Sequence, residues 1–433
     1  MTQSTRHPLA STIENRDLLE TLAGTYSTPL YVYDGNRLRE NVIRLDRALS
    51  ASFQKYAICY ALKANTNPRL ISEMRSALPS LGADCSSPGE LFVAQKLGIP
   101  PDLCLYTGNY ESEQELRLAL DSGVHLNLDD ASSYDRLRRI GLPEEISFRL
   151  NPGFGRGTFP GIITAGREAK FGIPVERIDA VYRRAANDGI RRFGLECMTG
   201  SGNLEPDYFV HLLTSILEVV KSLESTLSTS FSFVSMGGGF GIPYGEDDRP
   251  LKPGELFPLL STVYHSFYDG DDGDIPMFVV EPGRFLIGDA GFVLARVTGK
   301  KESYKNFVGL DAGMNTLLRP ALYGTYHRIL KVGDTEAPPV RTVDFTGGIC
   351  ENTDRLAEDR PFPEVEEGDL VAIMDSGAYG YSMATQYNTR PRPAEVLLEG
   401  DRATVVRRRE SIQDIFELCD WDRERPEPPA SVG

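Results

Sequence analysis

The sequence lacks the features that would assign the protein to a membrane, a secretory route or a nucleic acid. No stretch of the 433 residues approaches the roughly 18 consecutive apolar residues of a transmembrane helix. The first residues, Met-Thr-Gln-Ser-Thr-Arg-His-Pro, contain no apolar core of the kind found in signal peptides. Positive charge is in the minority, since 46 Lys and Arg oppose 62 Asp and Glu for a formal net charge of −16. We therefore expect no nucleic-acid partner and no anionic membrane partner.

Paired cysteines are also missing. None of the six cysteines forms a Cys-x-x-Cys pair, so neither a zinc site nor a disulfide framework is indicated, and no metal is expected. Free thiols of this kind are typical of a reducing compartment and predict a cytoplasmic protein. The cysteines are Cys59, Cys85, Cys104, Cys197, Cys350 and Cys419.

The chain does contain a regular alternation of strand-like and helix-like segments from residue 56 to residue 284. The candidate strands are 56–63, 81–85, 102–107, 124–128, 145–151, 193–199, 231–237 and 277–281. Amphipathic stretches such as Pro88–Leu97, Glu111–Ser122 and Pro206–Leu223 lie between them. Eight such units predict a (β/α)8 TIM-type barrel, with an open doubly wound sheet as the alternative.

The pattern changes after residue 285 to short strands separated by Gly, Pro and Asp, which predicts a C-terminal all-β domain. These strands are Phe292–Thr298, Asn306–Leu310, Val340–Thr346, Leu370–Met374 and Ala394–Leu398. Thr28–Asp34 is a further strand that precedes the barrel and could join this sheet. We therefore predict a barrel domain over 36–284, a β domain over 1–35 and 285–419, and a disordered, charged, proline-rich tail over 420–433.

A single lysine, Lys63, ends the first barrel strand in the apolar run Tyr-Ala-Ile-Cys-Tyr-Ala-Leu-Lys. A lysine at the end of a buried strand is costly unless it is paired or chemically used. Lysine amines form Schiff bases with carbonyl cofactors, and desolvation favours the neutral, nucleophilic amine. The alternative is a lysine that only reaches out to solvent from the strand end.

Two other strand ends carry groups that suit a phosphorylated cofactor. Active sites of barrels lie at the carboxyl ends of the strands. Strand seven ends in Gly237-Gly238-Gly239, whose backbone N–H groups can approach an anion closely. Strand eight ends in Glu281-Pro282-Gly283-Arg284, which offers a carboxylate for a pyridine nitrogen and a guanidinium for a phosphate. With Lys63 these groups predict pyridoxal phosphate (PLP); the alternatives are a flexible glycine turn and an ordinary Glu281–Arg284 ion pair.

These segments resemble the barrel-type, or fold-type III, PLP-dependent decarboxylases, whose barrel is like that of alanine racemase. The resemblance is greatest to the diaminopimelate decarboxylase family and extends from Thr28 to Leu398. Its motifs are Tyr60–Asn65, Gly237–Gly241, Glu281–Arg284, Asp311–Asn315, Arg319–Tyr323, Cys350–Asp354, Gly377–Met383 and Arg390–Glu395. Each motif alone has low specificity, but their number and order are typical of this family.

The resemblance implies a role for each matching residue. Lys63 would hold PLP as a Schiff base, Glu281 would face the ring nitrogen, and Tyr379 would contact the phosphate. The other residues implied in cofactor binding are Gly238, Gly239, Gly283 and Arg284. A substrate carboxylate would be bound by Arg284, Arg319 and Tyr323, with Glu351 and Tyr379 also at the substrate.

The family resemblance further implies a homodimer with shared active sites. Cys350 and Glu351 would come from a second subunit, and Cys350 would protonate the carbanion left after carbon dioxide departs. Without the resemblance, Cys350 suits a small buried hydrophobe and Tyr379 a core aromatic. Arg319 and Tyr323, four residues apart, suit a solvated surface pair on one helical face.

The sequence departs from the family pattern at two positions that bear on the substrate. Met198 stands where the family has a histidine that stacks on the PLP ring; a thioether can pack on an aromatic face but carries no proton. Asn352 stands where diaminopimelate enzymes have serine. The segment 153–159 also differs and is predicted to belong to a lid near the barrel mouth.

The function expected from these observations is PLP-dependent decarboxylation of an amino acid. The predicted substrate is meso-diaminopimelate, giving lysine, or a related carboxylate-bearing diamino acid. The alternatives are a decarboxylase of a modified or carrier-linked amino acid in secondary metabolism, of siderophore or antibiotic type, and an amino acid racemase. A non-catalytic PLP-binding regulatory protein is disfavoured, because small proteins of that kind are single barrels without the additional β domain.

Overall fold

The fold is taken from a computed structural model, which describes residues 7–269 and 275–421. The predicted disorder of the 420–433 tail therefore falls, beyond Trp421, outside the described residues. The strands are β1 (Leu30–Asp34), β2 (Tyr56–Ala61), β3 (Gly82–Cys85), β4 (Cys104–Tyr106), β5 (His125–Leu128), β6 (Glu145–Asn151), β7 (Ile173–Pro174), β8 (Arg192–Glu196), β9 (Phe233–Ser235), β10 (Met277–Val280), β11 (Gly291–Glu302), β12 (Asn306–Leu310), β13 (Ile329–Lys331), β14 (Arg341–Thr346), β15 (Arg355–Phe362), β16 (Leu370–Ile373), β17 (Ala394–Glu399) and β18 (Arg402–Arg407).

Most of the helices connect barrel strands. They are α1 (Ala10–Glu14), α2 (Arg16–Tyr26), α3 (Gly35–Ser50), α4 (Pro68–Ala77), α5 (Pro88–Lys96), α6 (Glu113–Asp121), α7 (Ala131–Ile140), α8 (Val175–Asn187), α9 (Pro206–Leu227), α10 (Pro253–Ser266), α11 (Arg284–Ile287), α12 (Arg319–Tyr323) and α13 (Ile412–Phe416). The helix α9 illustrates why they form: Pro206 occupies its first turn, and Leu213, Ile216, Leu217 and Val220 recur every three or four residues on its buried face.

Eight parallel strands close into a barrel. Their order is β5-β4-β3-β2-β10-β9-β8-β6, and β5 pairs with β6 to complete the ring, with Leu126 opposite Ile146. The predicted (β/α)8 barrel is therefore confirmed, and the open doubly wound alternative is wrong. Each of the eight predicted strands overlaps an observed one, and the predicted and observed bounds coincide at Glu145–Asn151.

Of the remaining strands, β7 pairs with β6 of the barrel, and the other nine form a second, mixed sheet in the order β15-β14-β12-β11-β1-β17-β18, with β16 also on β11 and β13 on β16. The predicted early strand does join it. β1 pairs antiparallel with β11, with Leu30 opposite Leu294, and parallel with β17, with Leu30 opposite Ala394. This insertion ties the chain segment before the barrel to the segment after it.

The sheet has a core separate from that of the barrel. Leu30 and Val32 of β1 pack with Phe292 and Leu294 of β11, and apolar residues of α1 and α2 complete the cluster. These two short helices, which the prediction of an all-β domain did not include, cover one face of the sheet. Within the described residues no helix is long and apolar enough to cross a bilayer.

Candidate active site

The carboxyl ends of the barrel strands surround a small cavity. All eight residues predicted to bind the cofactor line it. The complete lining is Ala61, Lys63, Asp84, Met198, Ser201, Gly238, Gly239, Phe240, Glu281, Gly283, Arg284 and Tyr379. Residues from five strand ends and from the second sheet are thus brought together around one lysine.

Lys63 lies in the helical turn Leu62–Ala64, directly after β2, and its amine faces the neighbouring strand. Its Nζ is 2.7 Å from Oδ2 of Asp84, at the end of β3. Burial lowers the pKa of Lys63, but the charge of Asp84, its hydrogen bond to the amine and the other acidic groups nearby together leave this pKa well above its ordinary value. In the cofactor-free protein the amine is therefore an ammonium paired with Asp84, although desolvation by itself favours the neutral form.

The accessible surface of Lys63 belongs to this cavity. The side chain is 44% accessible, and the residue lines the cavity. The partner Asp84 is only 2% accessible, and its Oδ1 is buried without a hydrogen-bond partner. A lysine that merely reaches out to solvent would not be held this way.

The glycine segment after β9 forms an open backbone cradle. Gly237 and Gly239 have φ of +67° and +89°, a region where side chains other than glycine are strained. A Cβ on Gly238 would lie 2.3 Å from the carbonyl oxygen of Glu281, so only glycine fits. The Gly238 N–H donates to Sδ of Met198 at 3.3 Å, and a thioether is a weak acceptor that an oxyanion would readily replace.

Glu281 is a buried carboxyl held by a hydroxyl. Ser235, two residues before the cradle, donates its hydroxyl to Oε1 of Glu281 at 2.5 Å. Burial raises the pKa of Glu281 well above its usual range, and the nearby carboxylates of Glu196 and Asp84 raise it further. No ion pair joins Glu281 to Arg284 in the described part of the chain, so the simple ion-pair alternative is wrong.

A network of polar residues that sequence reasoning missed supports the floor of the cavity. Arg149 lies between Asp129 and Glu196, with Nη1–Oδ1 and Nε–Oε2 distances of 3.5 and 3.7 Å. Its Nη2 also donates to the carbonyl oxygen of Met198 at 3.2 Å, and Asn127 donates to Glu196 at 3.1 Å. The sequence does contain a signal for this network, since Asn127, Arg149 and Glu196 are single polar residues at alternating positions of the largely apolar strands β5, β6 and β8.

Arg284 and Arg319 meet at one phenol oxygen, that of Tyr244. Each guanidinium donates through Nη1 to the Tyr244 hydroxyl at 2.6 Å. Arg319 is 2% exposed, so the alternative of a solvated surface pair is wrong. Two guanidinium groups that share one neutral acceptor form a site for an anionic group.

His327 fixes the position of Arg319 and was also missed. The ring Nδ1 lies 2.8 Å from the Met374 carbonyl oxygen, which assigns the proton to Nδ1 and leaves Nε2 as an acceptor for Nη1 of Arg319 at 3.5 Å. Burial, together with the charge of Arg319, lowers the pKa of His327 to about 3. The imidazole is therefore neutral at physiological pH and accepts from the guanidinium without repelling it.

Tyr379 reaches the cavity from the second sheet through a strained backbone. Its φ is +57°, which is costly for a bulky side chain, and its N–H donates to the Ala64 carbonyl oxygen at 2.8 Å. The guanidinium of Arg284 lies over the Tyr379 ring at 4.9 Å. This hydrogen bond to the Lys63 turn explains how the strained conformation is maintained.

Besides Arg319, three predicted catalytic or substrate-site residues do not line the Lys63 cavity. Cys350 and Glu351 are exposed on the loop after β14, and Tyr387 donates its hydroxyl to Oε1 of Glu351 at 2.5 Å. The alternative of a buried hydrophobic Cys350 is therefore wrong. Tyr323, at the end of α12, is half-buried, and its ring would touch a Cβ placed on Gly161.

The Cys350 loop is tied to the Asp311–Asn315 motif by one buried carboxylate. Asp354 accepts the Met314 N–H at 2.6 Å through Oδ1 and the Ile349 N–H at 2.7 Å through Oδ2. A Cβ on Gly347 would lie 2.3 Å from Cα of Gly313, so the two segments pack backbone to backbone. The predicted lid segment 153–159 likewise packs on the segment that follows β8, where the Thr158 N–H donates to the Ser201 carbonyl oxygen at 3.1 Å.

Comparison with known proteins agrees with this geometry. A family model described as pyridoxal-dependent decarboxylase, pyridoxal binding domain, matches residues 39–288. The diaminopimelate decarboxylase of Methanothermobacter thermautotrophicus is 43% identical over 400 residues, 91% of this chain and 92% of that protein. The crystal structure of the Helicobacter pylori diaminopimelate decarboxylase complexed with L-lysine matches with a TM-score of 0.83 at 32% identity, over 92% of this chain and 98% of that one.

A further relative carries a different name. Protein TabA of Pseudomonas amygdali pv. tabaci is 33% identical over 93% of this chain and 94% of its own length.

Together with the family model, the fold and the cavity define a PLP-dependent decarboxylase of the barrel type. Within that class, the chain belongs to the diaminopimelate decarboxylase family.

The residues around the cavity fit the cofactor of this family. One side provides Nε of Arg284, buried without a hydrogen-bond partner, and the Gly238 N–H with its weak sulfur acceptor, as an oxyanion requires. Another side provides the buried carboxyl of Glu281, suited to a ring nitrogen, and Lys63 supplies the amine.

Proposed function

We propose that the protein decarboxylates meso-diaminopimelate to lysine. The observation that supports this most directly is the buried pair of guanidinium groups, Arg284 and Arg319, joined at the hydroxyl of Tyr244. A substrate with a second carboxylate, remote from the reacting carbon, provides the anion that such a pair binds well. Close similarity to enzymes named for diaminopimelate supports the same substrate.

Each cavity residue has a proposed task. Lys63 holds the cofactor covalently, Glu281 faces its ring nitrogen, and the Met198 thioether packs on its ring. Oxyanion binding is assigned to the backbone and side chains at one side of the cavity, namely Gly238, Gly239, Gly283, Arg284 and Tyr379. The substrate carboxylate is held by Arg284, Arg319 and Tyr323, with Tyr379 and Glu351 also at the substrate.

The chemistry needs an electron sink and a proton. PLP, when bound, would supply the sink for the electron pair left on Cα when carbon dioxide departs. The buried, easily protonated Glu281 would keep a proton at the ring nitrogen. Cys350 would then deliver a proton from Sγ to Cα, and the arginine pair would hold the remote carboxylate and so fix which bond to Cα breaks.

We further propose that the active form is a homodimer whose sites combine residues of both subunits. The supporting observation is that Cys350 and Glu351 are exposed and do not line the Lys63 cavity of their own chain. A thiol that must reach Cα therefore comes from a second copy of the chain. With free cysteines and no disulfide among the described residues, a reducing cytoplasm is the proposed location.

A second candidate is a related decarboxylase that acts on a modified amino acid in secondary metabolism. Met198 and Asn352 favour it, because both depart from the family pattern, and the likeness to TabA is compatible with it. Asn352 accepts a hydrogen bond from Arg355 at 3.3 Å next to Glu351, so it bears on the shape of the proposed substrate loop. An amino acid racemase is less well supported, since it needs no remote-carboxylate site.

A substrate panel tests the proposal. Carbon dioxide release would be measured with meso-diaminopimelate, its LL and DD isomers, lysine, ornithine and arginine at saturating PLP. We expect turnover of the meso isomer on the order of 10 per second, a typical enzyme rate. Slow turnover of every member would favour the modified-substrate candidate, and exchange of the Cα hydrogen with deuterium without carbon dioxide loss would indicate a racemase.

The shared site is tested by complementation. Lys63→Ala and Cys350→Ala proteins would each be inactive alone. Mixing them after reversible dissociation should restore up to about a quarter of wild-type activity, because half of the protomers pair as heterodimers and each heterodimer has one intact site. Continued inactivity of a mixture shown to contain heterodimers would contradict the sharing of sites.

A further inference from the structure

A second cavity, lined by both charged and apolar residues, borders the continuation of the glycine segment at Gly241–Pro243. Its volume is about 280 Å³, and it is enclosed by the start of the described chain, α3, the Gly241–Leu251 loop and the second sheet. The lining is His7, Pro8, Arg37, Arg44, Gly241, Ile242, Pro243, Gly245, Pro250, Leu251, Phe285, Asp289, Arg328 and Asp375. None of these residues lines the Lys63 cavity.

Two guanidinium groups in this cavity have unused hydrogen-bonding capacity. Nε of Arg44 and Nε of Arg328 are both buried and have no hydrogen-bond partner among residues 7–269 and 275–421. Arg44 donates only to Oδ1 of Asn41, at 3.3 Å, and otherwise lies over the Phe285 ring at 5.0 Å. Among the described residues the Arg328 side chain has no hydrogen bond or ion pair. Buried charged donors without acceptors are costly, so an acceptor is expected here.

The carboxylates of the cavity are largely engaged by other residues. Asp289 accepts from Arg37 at 2.6 Å through Oδ2 and from Asn41 at 2.7 Å through Oδ1. Asp375 accepts from Nε2 of His7 at 3.1 Å. The proton is on Nε2 because Nδ1 of His7 accepts the Leu9 N–H. Arg37 also pairs with Glu40 at 2.8 Å. The acids near the cavity thus have partners of their own, and among the described residues none of them accepts a hydrogen bond from Arg44 or Arg328.

We propose that this cavity binds a small oxyanion, a phosphate or a carboxylate, between Arg44 and Arg328. The planar guanidinium fork matches the oxygen geometry of both groups, and the cavity is large enough for a small anion with its water. One wall, Gly241–Pro243, continues directly from the Gly237–Gly239 cradle. An anion bound here would therefore hold the glycine segment from behind while its other face contacts the cofactor.

The test is the thermal unfolding of the PLP-loaded enzyme as a function of inorganic phosphate at constant ionic strength. PLP is kept saturating so that the cradle for its own phosphate is filled. A ligand that binds the folded state raises the unfolding midpoint in a saturable way. We expect this rise with phosphate, with acetate, or with both, and not with chloride.

Variants locate the effect. Arg328→Gln should raise the phosphate concentration for the half-maximal effect by at least about tenfold, because one charged hydrogen-bond donor is lost. Arg44→Gln should raise this concentration similarly and replaces the first variant if that one is poorly folded. Arg328→Lys, which keeps the charge, should raise it less. Arg183→Gln, which removes an exposed arginine paired with Asp179, is the matched control and should leave the titration unchanged. An equal midpoint shift in both Gln variants and wild type, or no shift with any oxyanion, would overturn the proposal.

Discussion

Lys63 and Asp84 form an ion pair across the first two strands of the barrel, with 2.7 Å between Nζ and Oδ2. The pair helps to keep the amine charged in the absence of cofactor: burial lowers the pKa of Lys63, but the charge and hydrogen bond of Asp84, together with the other acidic groups nearby, raise it above its ordinary value. A protonated amine is not a nucleophile. Asp84 therefore holds Lys63 in position but slows its attack on an aldehyde.

Asp84→Asn should speed the attachment of PLP to the cofactor-free enzyme near neutral pH. Removing the carboxylate lowers the pKa of Lys63, so a larger fraction of the amine is neutral at any given pH. The rate of the visible absorbance change after PLP addition would be measured from pH 7 to 10. The pH at which this rate rises should be lower in the variant than in wild type. Asp102→Asn, an exposed residue near the opposite end of the barrel, should not move the profile. Coincident profiles for Asp84→Asn and wild type would contradict the role of this pair.

Glu281→Gln should remove part of the pH dependence of stability of the cofactor-free enzyme. Burial raises the pKa of Glu281, so the folded state binds a proton that the unfolded state releases as pH rises above its ordinary value. The wild-type free energy of unfolding should therefore fall with increasing pH, by up to about 1.4 kcal/mol per pH unit for this group. The variant cannot titrate there, so its slope should be smaller.

The measurement for Glu281→Gln is denaturant unfolding of cofactor-free protein at several values from pH 5 to 8. Glu255→Gln is a suitable control because Glu255 is exposed and its carboxylate pairs only with Lys252. If Glu281→Gln and wild type show parallel stability profiles, Glu281 is already ionised in the cofactor-free protein.

Much of the site could be predicted from sequence because its residues lie at strand ends. Lys63, Gly238 and Glu281 each follow an apolar run, and parallel strands of a barrel bring such ends to one mouth. Local signals of this kind also located β1, although its two partner strands could not be assigned from the pattern alone.

The residues that were missed act through contacts distant in sequence. Tyr244 lies in a loop that reads as an ordinary turn, and its task depends on meeting Arg319, 75 residues later. His327 shows no motif, and its neutral state follows from burial that only the packed fold creates. The pairing of Lys63 is of the same kind, because Asp84 stands on a different strand and its attraction acts against the effect of burial.

Tyr244→Phe should weaken substrate binding more than it slows the chemical step. The hydroxyl is the shared acceptor of two guanidinium groups, and without it Arg284 and Arg319 repel each other and lose their alignment. We expect KM for meso-diaminopimelate to rise about tenfold, equivalent to about 1.4 kcal/mol, with kcat changed less than about threefold.

Steady-state kinetics of Tyr244→Phe should be compared with those of Tyr304→Phe, in which a fully exposed hydroxyl is removed. The rise in KM should be smaller for a substrate that lacks the remote carboxylate, if one is turned over. An unchanged KM in Tyr244→Phe would mean that the arginine pair does not bind the substrate through this arrangement.

Asp354→Ala should impair catalysis while leaving the cofactor site intact. The carboxylate is 3% exposed and accepts two backbone N–H groups, from Met314 and Ile349, so its loss frees the loop that carries Cys350. Each charge-assisted hydrogen bond contributes about 1.5–3 kcal/mol, and a stability loss on the order of 3 kcal/mol is expected.

The visible absorbance of bound PLP should remain in Asp354→Ala, since Lys63 lies in the barrel. By contrast, kcat should fall at least about tenfold at a temperature where the variant is folded. Glu366→Ala, which removes an exposed acid on the same domain paired with Lys300, should change both quantities little. Full activity in a folded Asp354→Ala enzyme would show that the position of the Cys350 loop does not limit proton delivery, and would place the acid elsewhere.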